Sequence, residues 1–428
     1  MTMTVHRSSP GAPAAFGSSD GLRYGLLGLP VAFVALPLYV QLPALYAGEL
    51  AAPVALVGLA LGATRLVDAA ADPFIGRAAD TLFDRDGGRR VLPALAAAAV
   101  LLAAGAAALF FPPLRGEAAV AWLALALLPT SLAFSGLAIA HQAWGTRLGG
   151  DAPQRARIVA WREGLGLVGV LAATLLPALA GLAASWCVLT ATLALGLAAL
   201  ARSPFPRAAP RSAGASAPSW RAPWRDRAFR SLLVVFVANG IAAALPAALV
   251  LFFIRDRLQL PAWEPLFLAA YFGCAFASIP FWLGLVRRRG LIAAWGIGML
   301  LAVAAFCATP ALGAGAGVAF VAVCVATGLA LGADLVVPGA LLAGCVQRAE
   351  PRAAGAYAGW WTLATKLNLA LAAATALPLL GALGYAPGTR DERALDALGG
   401  VYAGLPCLLK LGAFALLWRW RDRLEERT

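Results

Sequence analysis

Apolar runs of twenty or more residues recur from one end of this chain to the other, and no other feature limits its fold so strongly. An α-helix needs about 20 such residues to cross the hydrocarbon core of a bilayer. A transmembrane barrel would show short segments of alternating hydrophobicity instead, and none is evident. Of the 428 residues, 61% are hydrophobic and 13% charged, about half the charged fraction with which a soluble domain covers its surface. An ordinary soluble enzyme, a disordered chain and a collagen-like fibre are excluded. The expected fold class is an all-α membrane protein.

Twelve transmembrane helices are read at 22–47, 52–79, 91–112, 118–142, 158–181, 184–201, 230–254, 262–285, 290–309, 314–340, 353–384 and 398–418. They are called spans 1 to 12 below. An even number puts both termini on one side. Of the 34 Lys and Arg, five lie in loops opposite the termini (Arg115, Arg255, Arg257, Arg390, Arg393) and four deep inside spans (Arg65, Arg162, Lys366, Lys410), leaving 25 on the terminus side, with Arg23, Arg77 and Arg230 among them at span ends. Such an excess marks the cytoplasmic face. Both termini are expected in the cytoplasm of a multi-pass plasma-membrane protein, in a bacterium the inner membrane. The net charge of +13 is then a matter of topology and implies no nucleic-acid partner. The first twenty residues contain no apolar segment, so span 1 is expected to direct insertion without a cleaved signal. The six Cys include no C-x-x-C pair and read as small buried residues.

The longest polar break, 202–229, is rich in Pro, Ala, Ser and Arg. It divides the chain into a disordered start (1–21), a six-helix bundle (22–201), a mobile linker (202–229), a second six-helix bundle (230–418) and a tail (419–428). Weak similarity relates the halves. Gly76-x-x-x-Asp80 followed by Gly88-Arg89-Arg90 has a worn counterpart in Gly284-Leu-Val-Arg287-Arg288-Arg289-Gly290. Two pseudo-symmetric six-helix bundles are an architecture of alternating-access transporters, with the site between them near mid-membrane. Prolines inside span 1 (Pro30, Pro37, Pro43) and spans 4, 7, 8, 10 and 11 are expected to bend their helices. The pairs Gly58/Gly62, Gly328/Gly332 and Gly355/Gly359 read as close-packing faces.

Charges inside spans narrow the reading further. An unpaired one costs on the order of 2.5–3.5 kcal/mol on insertion scales, so each needs a partner or a purpose. Span 2 carries Arg65-Leu-Val-Asp68-Ala-Ala-Ala-Asp72-Pro73. Asp68 and Asp72 are one helical turn apart and share a face, where their charges repel. Arg65, a bound cation, a proton or a Lys from another helix must offset them. Oxygen ligands suit a hard cation such as Na⁺. Two readings of Asp72 stand, an ion ligand or a structural ion pair with Arg77 or a loop arginine. Asp80, with Arg85, Arg89 and Arg90 nearby, reads as a latch at the membrane edge. Lys366, deep in span 11, is placed to face the span 2 carboxylates and to be released by a bound ion. Arg162-Glu163 reads as a self-compensating pair or a substrate contact. Asp334 reads as a cavity or gate group, and Lys410 has no acidic neighbour in sequence.

The string Arg65-x-x-Asp68-x-x-x-Asp72-Pro73-x-x-Gly76 resembles the cation-site signature of the glycoside–pentoside–hexuronide:cation symporters, a branch of the major facilitator superfamily that includes melibiose permease. Asp151 through Arg162, Asn239-Gly240 with Pro246, and Gly355-Ala-Tyr357 through Lys366 extend the resemblance from Tyr24 to about Tyr385. It implies the major facilitator fold, with Asp68 and Asp72 as ligands of Na⁺, Li⁺ or H⁺. It also implies Ser135 as the nearest span 4 hydroxyl to that ion, Lys366 beside it, and Arg162 as a sugar contact. The sequence departs from the family where acidic residues of spans 1 and 4 hold sugar hydroxyls. Ala32 stands at the span 1 position, and Phe134 to His141 contains no carboxylate. A site for a polyol needs such acceptors. Tyr39, Gln41 and Tyr46 are the polar groups left in the second half of span 1.

No metalloprotease, esterase or metal-ligand motif is present, so an enzyme is not expected. The string Gly164-Leu-Gly166-Leu-Val-Gly169 lies inside span 5 and reads as a packing face. The expected function is cation-coupled symport of a small organic solute, sugar-like by resemblance, by a monomer with no cofactor beyond its coupling ion. The alternative is a proton-coupled exporter or a lipid or lysolipid transporter of the same superfamily.

Overall fold

The computed structural model describes residues 16–42, 45–85, 89–206 and 219–425, and every regular element among them is helical. Pro43 and Gly88 fall outside the described residues. Spans 2, 3, 4, 7, 10 and 11 are single helices, Val54–Asp84, Val91–Phe110, Glu117–Leu148, Arg227–Phe252, Gly317–Ala349 and Ala354–Ala382. Spans 5 and 6 share Ala152–Leu200, and spans 8 and 9 share Glu264–Phe306. The chain leaves the helix between them at Gly181 (φ 82°) and Gly290 (φ 79°). A side chain would strain this left-handed backbone, so glycine serves as the break.

Nine helical stretches among the described residues are long and apolar enough to cross a membrane, and one of them, Pro261–Ala311, holds both spans 8 and 9. Spans 1 and 2 complete the twelve. Span 1 is broken into Ser18–Gly25, Gly28–Leu36 and wide π-type turns at Pro37–Gln41 and Leu45–Glu49. Span 2 carries Arg65, Asp68, Asp72, Arg77 and Asp80 along its length. Span 12 is Glu392–Gly399, a wide turn and Leu405–Arg419.

Two boundaries differ from expectation. The start is ordered from Phe16, whose carbonyl accepts the Arg157 guanidinium at 2.8 Å, and the first helix opens at Ser18. The linker is docked at both described ends. Phe205 packs edge-on to Trp144, and Trp220 stacks on Trp360 of span 11 and touches Phe74 of span 2. Large aromatic rings remove enough surface from water to hold a Pro-rich segment down.

One hydrophobic core runs through the N-terminal half and continues into the other half through Ile279, Val336, Tyr357 and Trp361. A second is confined to the C-terminal half and includes Leu245, Phe253, Phe267, Phe320 and Tyr402. Between the halves, spans 2 and 11 meet most closely. A Cβ at Gly76 would sit 2.0 Å from the Gly355 carbonyl oxygen, and one at Gly359 would sit 2.4 Å from that of Asp72. The Gly328/Gly332 pair likewise meets Tyr271 and Ser278, whereas Gly58 and Gly62 face open space and are not a packing pair. Gly76→Ala is therefore expected to lower the melting temperature by several degrees, as about 1–3 kcal/mol of overpacking would do. Gly62→Ala should leave it unchanged or slightly raised, and differential scanning fluorimetry of both variants checks the contrast.

Candidate functional site

The helix of span 2 turns Asp68 and Asp72 toward span 11, where they are 2% and 0% exposed. Span 11 comes close because Gly355 and Gly359 let its backbone touch that of span 2, and two turns further along the same face stands Lys366. Its ammonium donates to Asp68 Oδ2 at 2.7 Å, to Asp72 Oδ1 at 2.8 Å and to Ser135 Oγ at 2.9 Å. The Ser135 hydroxyl donates in turn to Asp68 Oδ1 at 2.7 Å. Of the groups able to offset the two carboxylates, the structure therefore selects a lysine from another helix. Arg65 has an exposed side chain. The cluster ties span 2 and span 4 of one half to span 11 of the other. It has two carboxylates for one ammonium, and the Asp72 Oδ2 oxygen is buried without a hydrogen-bond partner. An acceptor left so costs about 1–3 kcal/mol, so the arrangement is short of one donor or cation.

The other candidate residues are not gathered at this point. Arg162 donates to Glu163 Oε1 from Nε at 3.0 Å and from Nη2 at 2.6 Å, closing the sequential pair. It lines a small cavity with Tyr24, Gln142 and Thr146. Gln41 lines a different cavity between spans 1, 3 and 6, with Phe33, Phe110 and Trp186. That position faces the interior of its own half, so Gln41 does not share a site with Lys366. The side chain of Tyr39 lies outside the described residues. His141 is buried, with Nε2 2.9 Å from the Tyr24 carbonyl, while the Tyr24 hydroxyl donates to the His141 carbonyl at 3.1 Å. The pair locks span 1 to span 4.

At the terminus face Asp80 is fully buried, and the latch differs from the one expected. Its guanidinium partner is Arg147, at 2.7 Å, and not Arg89 or Arg90, which sit on the exposed surface. Asp80 also accepts the backbone N–H of Gly355 at 2.6 Å and of Ala356 at 2.8 Å, the opening residues of the span 11 helix. First-turn amides have no acceptor within their helix, and the positive end of the helix dipole favours a carboxylate there. Arg147 extends to the Arg352 carbonyl at 2.6 Å, and Arg352 donates to Asp84 Oδ2 at 2.8 Å. Arg155 and Gln347 make a further bond across the halves at 3.3 Å. The described hydrogen bonds between the halves thus lie at the terminus face or at Lys366. Arg147, Asp84 and Arg352 lie on or beside helical extensions past the membrane edge and escape a reading confined to the spans.

Asp334 lines a cavity and does not latch the halves together. Its Oδ1 accepts Asn239 Nδ2 at 3.0 Å and Trp295 Nε1 at 2.8 Å, and its Oδ2 accepts Lys410 Nζ at 2.8 Å. Every one of these partners belongs to the C-terminal half, so the group cannot latch one half to the other. Lys410, which lacks a sequence neighbour, finds its counterion here.

The family model described as MFS/sugar transport protein matches residues 23–421. The chain belongs to this family. Its fold is shared by a bacterial homologue of the iron transporter ferroportin in an outward-facing state, at 16% identity and TM-score 0.67, over 95% of this chain and 99% of that one. It is shared also by the E. coli fucose:proton symporter FucP, at 14% identity and TM-score 0.62, over 96% and 98%. No curated protein sequence matches it. The two bundles are those of the major facilitator fold, and the protein is a membrane transporter, not an enzyme.

Proposed function

We propose that this transporter couples one monovalent cation, Na⁺ or H⁺, to symport of a small organic solute by alternating access, as a monomer in a bacterial inner membrane with its termini in the cytoplasm. The observation that carries the reading is the Lys366 cluster, with its surplus carboxylate charge and the unpartnered Asp72 Oδ2. With both carboxylates ionised the site keeps a net charge of about −1 beside the Lys366 ammonium, which draws a monovalent cation to the oxygens that Lys366 holds. Asp68, Asp72 and Ser135 supply the oxygens, and Lys366 holds the site when the ion is gone. Loading the ion frees Lys366 and removes a bond between the halves, which links ion occupancy to their rocking. Solute and ion then each favour the binding of the other, a reciprocity that linkage requires.

The Asp80, Asp84, Arg147 and Arg352 network closes the cytoplasmic side in this conformation. A sugar-like solute follows from the family description, while Ala32 and the absence of a carboxylate from Phe134 to His141 weigh against a polyol held as in the glycoside symporters.

The test needs no knowledge of the solute. Thermal unfolding of the purified protein is followed against Na⁺, with choline as control, at pH 6 and 8.5, with Asp72→Asn alongside. At about a hundredfold excess over Kd a ligand of the folded state adds roughly 2.7 kcal/mol. A Na⁺-specific rise at pH 8.5 that Asp72→Asn abolishes supports sodium coupling. A pH-dependent shift lost in the variant assigns the site to protons. Indifference to both overturns the proposal and leaves a structural ion pair.

A further inference from the structure

The C-terminal half holds a partly open cavity of about 200 Å³ that, among the described residues, none of the other half lines. One water needs only about 10–15 Å³ of such space, so the volume is that of an organic molecule. The walls come from spans 7, 8, 9, 10 and 12 and are mostly apolar, with Phe267, Tyr271, Phe306, Phe320 and Tyr402 among them. Asp334 and Lys410 form their polar point. A largely apolar pocket with a few convergent polar groups is the usual form of a small-molecule site.

The polar point is specific about charge. The Lys410 ammonium gives one proton to Asn239 Oδ1 at 2.7 Å and one to Asp334 Oδ2 at 2.8 Å. An ammonium has three protons, so one remains for the cavity that Lys410 lines. Asp334 is already held by Lys410, Asn239 and Trp295. Unlike the Lys366 cluster, which has two carboxylates for its ammonium, this pair is balanced. A ligand carrying net charge would bring an uncompensated charge into an apolar cavity, which is costly. A neutral acceptor such as a carbonyl or ether oxygen would meet the free proton without that cost.

We propose that this cavity is a second ligand site, for a neutral, largely apolar organic molecule with one hydrogen-bond acceptor directed at Lys410. Aromatic bodies suit the ring-lined walls. The site stands apart from the ion cluster and does not depend on the coupling reading.

Benzophenone is a fitting probe, being a neutral diaryl ketone that inserts into nearby C–H bonds on illumination. Detergent-purified full-length protein is photolabelled with benzophenone, with 4-benzoylbenzoate (anionic) and with 4-(aminomethyl)benzophenone (cationic), and the adducts are mapped by mass spectrometry. Benzophenone is expected to label peptides of spans 8, 10 and 12 that line the cavity. The charged analogues should label them roughly tenfold less, the change that about 1.4 kcal/mol produces. Ala243→Phe, which fills the cavity from a half-buried lining position, should abolish these adducts while adducts on the lipid-facing surface persist. Melting temperature establishes that the variant is folded, and Ala247→Phe serves if it is not. Equal or stronger labelling of the same peptides by a charged analogue overturns the assignment of ligand class. Adducts in the lining peptides that survive the filled cavity, or none there at all, overturn the site.

Discussion

Lys366→Met is expected to melt well below the parent protein in choline at pH 8.5, and to regain much of the difference when Na⁺ is added. The ammonium bonds both Asp68 and Asp72, and both carboxylates are at most 2% exposed. Removing one partner of a buried ion pair costs about 3–5 kcal/mol, because the remaining charge stays buried and uncompensated. Methionine keeps the length and apolar stem of the side chain, so the loss is one of charge and not of packing. The same substitution removes a tethered competitor from the ion site. The Na⁺ concentration that half-saturates the stabilisation should therefore fall at least tenfold, equivalent to about 1.4 kcal/mol of binding. Lys410→Met provides the contrast. It strips the counterion from Asp334 and should destabilise to a similar degree, without moving the Na⁺ midpoint. A Lys366→Met protein whose Na⁺ midpoint stays where it was would show that the ion binds elsewhere. Symport should be lost in Lys366→Met in either case, since the bond that reports ion occupancy across the halves is gone.

The two lysines also show how far the sequence can be read. Helical period alone puts Asp68 and Asp72 on one face, and their mutual repulsion demands a positive group. Lys366 stands out because it is too deep in its span to reach the interface. These arguments are local or electrostatic, and residue type carries them. The partner of Lys410 is 76 residues away on another helix, and only the packing of spans 10 and 12 brings it there. Asp80 illustrates the other limit. Its place at the membrane edge is plain from hydropathy, and the nearby Arg89 and Arg90 are the obvious partners in sequence. Two of its three donors are in fact backbone N–H groups of Gly355 and Ala356, and a backbone amide has no signature of residue type. The third, Arg147, sits on a helix that continues to Leu148, beyond the point where apolar patterning stops. Twelve spans, their grouping into halves and the glycine contact of span 11 follow from apolar length and small-residue spacing. The open surroundings of Gly58 and Gly62 do not, because the same spacing occurs whether or not a neighbour is there.

Asp80→Asn is expected to open the terminus face. An amide can replace one oxygen of the carboxylate as acceptor, but its NH₂ group then points either at Ala356 N–H or at both Gly355 N–H and Arg147. At least one donor is left unpaired, at about 1–3 kcal/mol. Arg147, 4% exposed, also loses its closest counterion, and its remaining carboxylate contact is the longer one with Asp84 at 3.6 Å. The loss of the Gly355 and Ala356 bonds falls on the closed conformation alone, because these two join the halves only when that face is shut, whereas Asp80 and Arg147 both belong to the N-terminal half. Each 1.4 kcal/mol or so shifts such an equilibrium about tenfold. Hydrogen exchange reads the result directly. Gly355 and Ala356 lie in the first helical turn and owe their protection to Asp80, so their exchange should rise at least tenfold in the variant. Thr146 and Arg155 meet Gln347 at the same face through bonds that Asp80 does not touch. If the face opens, backbone protection in the segments 144–159 and 343–350 falls with that of Gly355 and Ala356. If exchange rises at those two amides alone, Asp80 is a helix cap and the closure of the face rests on Asp84, Arg352 and Gln347.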